Sequence, residues 1–129
     1  MIMTNMERWF HCIALQKETE KKMTAVLARH HYTLNEFYVL YYLHQNPEHA
    51  LRLNELEPKI DLSQSALSRM IQRMQNKTCG VIEKCTCSID HRGIFVRMTE
   101  QGEQAFNQIF PEIDAVLQSS LPASADHID

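Results

Sequence analysis

From Ser63 to Met74 the chain sets polar and cationic side chains at helical intervals. Gln64, Ser65, Ser68, Arg69, Gln72 and Arg73 share one face, while Leu67, Met70, Ile71 and Met74 fall at i, i+3, i+4 and i+7 on another. Short hydroxyl and carboxamide groups near a helix start can touch the base edges of duplex DNA. Arginine suits a guanine edge or a phosphate. An ordinary amphipathic surface helix carries the same pattern, so the flanking residues must decide between the two. Ser63 is a good N-cap, its hydroxyl able to accept from an otherwise unpaired amide of the first turn.

Charge supports the first reading. The chain has 129 residues and a net charge of −3, but Ser63 to Met98 holds six basic residues (Arg69, Arg73, Lys77, Lys84, Arg92, Arg97) against Glu83 and Asp90, a net +4 on an otherwise anionic body. The length fits one domain, and 44% apolar residues with only three glycines point to a folded, helix-rich chain. No apolar run is long enough to span a membrane. Glu7, Arg8 and His11 interrupt the opening stretch where a signal peptide needs unbroken apolar residues, so the protein reads as cytoplasmic. No nucleophile–base–orienter set, glycine-rich phosphate loop or paired-carboxylate motif is present, so the chain reads as a non-enzyme without a cofactor.

The elements around this helix follow from spacing. Asn5 to His31 lacks proline and glycine, and Met6, Trp9, Phe10, Ile13, Met23 and Leu27 recur at helical intervals. This predicts one long helix with apolar contact near both ends and a solvated middle. Thr33 and Glu36 have the spacing of a capping box for a second helix, which Asn46-Pro47 stops. Leu53, Leu56 and Ile60 suggest a third helix that Pro58 must bend or shorten. Together with the Ser63 helix this makes a helix-turn-helix pattern. Val81–Cys87 and Ile94–Met98 then read as two strands joined by Ser88–Gly93, a hairpin with a cationic tip. Thr99 caps a last helix, which Pro111 should kink and Pro122 should end.

The fold class is mainly α with a small β-hairpin wing (α+β): a winged helix-turn-helix with long N- and C-terminal dimerisation helices. Residues 1–32 and 99–121 would form the dimerisation region, 33–98 the winged domain and 122–129 a tail.

Leu53-Asn54-Glu55-Leu56, Leu62 to Arg69, Ile82-Glu83-Lys84, Asp90-His91-Arg92-Gly93 and Val96 to Gly102 follow one another in an order that resembles the MarR family of bacterial transcription regulators. The resemblance runs from about Thr33 to Phe106, and more loosely over the first helix. It implies a homodimer on pseudo-palindromic double-stranded DNA, usually a repressor released by a small-molecule effector or by oxidation. By position it would put Ser63, Gln64, Ser65, Ser68, Arg69 and Arg73 in the major groove and Arg92 in the minor groove, with Asp90 supporting the wing arginine. Thr78-Cys79 look inserted before the wing, and Arg52 stands where relatives often have a capping Thr or Ser. Relatives also usually continue into a further C-terminal helix, so here the first and last helices would supply the dimer contact.

Two readings stay open beside the regulator. A winged-helix module that engages protein instead of DNA would also suit the anionic body. Cys12, in Cys12-Ile13-Ala14-Leu15, resembles the cysteine of the peroxide-sensing branch of the family, although a buried interface cysteine fits as well. Cys79, Cys85, Cys87 and His91 have zinc-ligand chemistry without a known spacing. His30, His31 and His44 suit helix-end contacts with carbonyls better than a metal sensor.

Overall fold

The computed structural model describes residues 2–77, 80–86 and 93–122. Helix α1 spans Asn5–Arg29 and opens on a capping box: Thr4 Oγ1 accepts from the Glu7 amide at 3.1 Å, and the Thr4 amide donates to Glu7 Oε1 at 2.9 Å. These bonds hold the Glu7 carboxyl below its ordinary pKa. Only Thr19, Met23, Val26 and Leu27 of α1 are buried, all in its second half. The expectation of apolar contact at both ends is therefore corrected for the N-terminal end. Met6, Trp9 and Phe10 meet no core there and remain exposed.

Helix α2, Leu34–Gln45, is capped as its sequence predicts, with the Thr33 amide 2.8 Å from Glu36 Oε1 and the Glu36 amide 3.2 Å from Thr33 Oγ1. It forms the middle of the core: Val39, Leu40 and Leu43 are fully buried, and Phe37 stacks on Phe106 with ring centroids 5.7 Å apart. Helix α3 is a single turn, Leu53–Leu56, continued by a 3₁₀ turn over Glu57–Lys59. Pro58 shortens the element as expected, since it lacks the amide an α-helix needs. The Arg52 amide donates to Glu55 Oε1 at 2.8 Å at the start of this turn.

Helix α4 spans Gln64–Gln75, and strands β2 (Ile82–Thr86) and β3 (Ile94–Met98) form the hairpin. A third strand, β1 (Ala50–Arg52), was not foreseen. It pairs antiparallel with β3, giving the order β1-β3-β2 with Leu51 opposite Val96. Three residues carry too little alternation to read as a strand until a partner lies beside them.

Helix α5, Glu100–Ser120, starts from Thr99 and continues past Pro111, ending just before Pro122. Thr99 joins three structures at once. Its Oγ1 accepts from the Gly102 amide at 3.1 Å and donates to the Gly80 carbonyl, while its own amide donates to Val81 O at 3.0 Å. A side chain at Gly102 would overlap the Val81 carbonyl oxygen, so the motif Thr99–Gly102 is the joint between wing and α5. The second half of α1, the buried stripe of α4, Ile82, Val96 and Met98 of the sheet, and Phe106, Ile109 and Ile113 of α5 close one core around α2.

Candidate nucleic-acid interface

Helix α4 buries Leu67, Met70, Ile71 and Met74, the four residues of its apolar stripe. Its cap is Ser63, whose Oγ accepts from the Ala66 amide at 3.2 Å. Gln64, Ser65, Arg69, Gln72 and Arg73 are exposed, and Ser68 is half-buried. Among the described residues no acidic side chain lies within ion-pair distance of Arg69 or Arg73. Two uncompensated guanidinium groups, one turn apart on an exposed helix face, can bind a polyanion at no cost in broken ion pairs.

The other cations of the positive segment are used differently. Lys77 ties the end of α4 to the turn between α1 and α2: its Nζ lies 2.9 Å from His31 O, 3.4 Å from Glu36 Oε1 and 4.0 Å from the centroid of the Tyr32 ring. Arg97 pairs with Glu83 across the hairpin at 2.8 Å, and that hydrogen bond raises its pKa further. Arg92 and Asp90, the expected wing contact and its support, lie outside the described residues. Lys84 remains, its Nζ donating to Gln72 Oε1 at 3.0 Å.

Gln72 was not singled out as a contact residue, yet it sits mid-face. Ser65, Arg69, Gln72 and Asn76 fall at i, i+4, i+7 and i+11, the line most nearly opposite the buried stripe. That spacing is legible in the sequence and would have found it. Gln64, at the other end of the helix, lines a cleft of about 280 Å³ with Arg52, Leu53, Asn54, Glu57, Gly93 and Ile94. The start of α3, the start of α4 and the base of the wing thus meet on one side of the molecule.

Away from this face, Cys12 is exposed in the single chain, a position open both to an oxidant and to a second subunit. It lines a groove of about 400 Å³ with Leu15, Gln16, Thr19, Glu20, Met23, Tyr38, Leu117 and Leu121. A second groove of about 340 Å³ adjoins it through Met23, Tyr38 and Leu117. Burial raises the Tyr38 phenol above its ordinary pKa, with Glu20 adding to the shift. The histidines separate: His30 Nε2 lies 2.9 Å from Glu112 Oε2, whereas His44 stacks on Phe106 with centroids 4.3 Å apart. Cys79, Cys87 and His91 lie outside the described residues, and among those described no three groups of metal-ligand type come together. No helix among the described residues is long and apolar enough to cross a membrane.

Comparison with solved structures places the fold among MarR family regulators. AbsC of Streptomyces coelicolor superposes with a TM-score of 0.82 at 23% identity, over 94% of this chain and 82% of that one. Sco3205 of the same organism, solved in complex with DNA, gives 0.79 at 22% identity, over 94% and 77%. MarR of E. coli in its apo form gives 0.72 at 22% identity, over 97% and 90%. The winged helix-turn-helix fold expected from the motif order is borne out. Comparison with curated proteins gave no significant match. The model of the SarA/Rot transcriptional regulators matches residues 16–109, which spans the second half of α1, the helix-turn-helix, the wing and the start of α5. The chain therefore belongs to the SarA/Rot family of transcriptional regulators.

Proposed function

We propose that the protein is a homodimeric repressor that binds a pseudo-palindromic DNA operator through α4 and the wing, and that an effector releases it. The observation that carries this reading is the exposure of Arg69 and Arg73 on the face of α4 away from its buried stripe, with no acidic partner among the described residues. Ser63, Gln64, Ser65 and Ser68 line the same side and would meet base edges, with Arg92 reaching the minor groove and Asp90 steadying it.

A second copy is the natural cover for α1. Met6, Trp9, Phe10 and Ile13 form an i, i+3, i+4, i+7 stripe, and the first three are each more than half exposed. Two subunits joined through their long helices would have to hold their α4 helices about 34–36 Å apart to enter successive major grooves. An effector acts on that spacing only if it binds the two dimer states with different affinity. The adjoining grooves between α1, α2 and α5 suit an apolar small molecule, since they join the dimer helix to the winged body. Oxidation of Cys12 in the same groove is a second route to the same movement, favoured by the exposure of that thiol.

Gel shift against the promoter of the protein's own gene, repeated from low to moderate salt, tests the reading. Binding that is specific and falls steeply with salt supports it. A protein that stays monomeric at micromolar concentration and retards no duplex would instead be a winged-helix module for protein contacts.

A further inference from the structure

We infer that Lys84 is a phosphate contact of the same interface, delivered to α4 by the wing's first strand and seated there by Gln72; the inference rests on reading the exposed face of α4 as the DNA face. Register decides where Lys84 can go. In the β2–β3 pair, Ile82 lies opposite Met98 and Lys84 opposite Val96, so Lys84 shares the inner face of the hairpin with buried residues. Glu83 and Arg97 pair with each other on the outer face. An inner-face lysine must lead its ammonium out along apolar surface, its methylene stem covering that surface on the way. Here the stem ends at α4, with Nζ 3.0 Å from Gln72 Oε1.

That contact is a holding bond and leaves the charge available. Lysine only donates, so the ammonium fixes which way the Gln72 carboxamide faces and spends one of its three protons on it. No acidic partner takes up the charge among the described residues. Gln72 lies on the mid-face line between Arg69 and Asn76, so the ammonium reaches the exposed face of the helix that carries Arg69. Three cations from two elements, none with an acidic partner among the described residues, make a wider anion-binding surface than the helix alone. A point-charge ammonium at its edge suits a backbone phosphate better than a base.

The test is the salt dependence of binding to the operator and to an unrelated duplex of equal length, measured for wild type, Lys84→Met, Lys84→Arg and Gln72→Ala. Lys84→Met should weaken both duplexes by the same factor and lower the slope of log K against log salt by about 0.9 per bound subunit. Lys84→Arg should keep the wild-type slope, and Gln72→Ala should weaken binding with its slope intact. An unchanged slope in a Lys84→Met protein with a wild-type melting curve overturns the assignment, as does a loss confined to the operator. Lys84→Gln replaces the methionine variant if that one fails to fold. If wild type itself shows no salt-dependent binding, the DNA-face reading falls, a result distinct from failure of the Lys84 assignment alone.

Discussion

The exposed face of α4 and the exposed N-terminal half of α1 are both helix surfaces that the chain leaves uncovered, and they differ in everything except periodicity. On α4 the four apolar residues are consumed by the core, and what remains outside is hydroxyl, carboxamide and guanidinium. On α1 the core is supplied from the second half, and what remains outside at the start is Met6, Trp9 and Phe10. The first surface is well solvated alone and gains by meeting a polyanion. The second loses free energy to water until another apolar surface covers it. One chain thus presents two vacancies of opposite chemistry, and the body between them must hold them in fixed relation.

Breaking the apolar side should have the largest effect. Trp9→Asp with Phe10→Asp removes roughly 3–6 kcal/mol of buried aromatic surface per subunit from any dimer, at about 1.5–3 kcal/mol for each side chain. Sedimentation should show monomers, with circular dichroism unchanged because neither ring supports its own fold. Loss of helicity instead would mean that α1 depends on those rings internally. Next comes the body that joins the two surfaces. Gly102→Ala drives a methyl into the Val81 carbonyl and should cost about 2–3 kcal/mol in denaturant unfolding, loosening the wing together with α5. A wild-type midpoint would show that this joint yields easily.

The cationic side sharpens the comparison at a smaller scale. Arg69→Ala should cost about 1–3 kcal/mol of discrimination at the operator position it reads, without changing the subunit assembly. Equal weakening on all duplexes would place it on phosphate. The smallest effect concerns Glu112, which links α5 to the end of α1 through His30 at 2.9 Å and Arg29 at 3.1 Å. Hydrogen bonds from His30, then Arg29, lower its pKa from the ordinary 4.5. A depressed carboxylate contributes stability above that ordinary value, and the contribution is lost as pH falls through the lowered one. Glu112→Gln should therefore lower stability slightly at neutral pH, leave it nearly unchanged below the lowered value, and flatten the pH dependence between the two, as read from unfolding midpoints across pH. The groups are largely exposed, so the effect stays small.

The motif order carried the fold. The capping box at Thr33, the stripe of α4, the hairpin and the Thr99 cap are patterns written within one element or two successive ones, so periodicity and cap chemistry were enough to read them. The face of α4 that holds Arg69 and Arg73 was legible for the same reason: a helix that buries one stripe must show the other. Strand β1 was not legible, because its pairing with β3 joins residues more than forty positions apart and leaves no local trace.

Charge shows most clearly where reading stops. The sequence determined that the segment from Ser63 to Met98 is cationic, since that is a property of composition alone. Only the tertiary structure decided which cations are free. It folded Lys77 against Tyr32 and Glu36, set Arg97 opposite Glu83, and brought Lys84 from the inner face of the hairpin to Gln72. An ion's availability depends on what lies within a few ångströms of it, and for these side chains those neighbours come from other elements, which no spacing along the chain encodes.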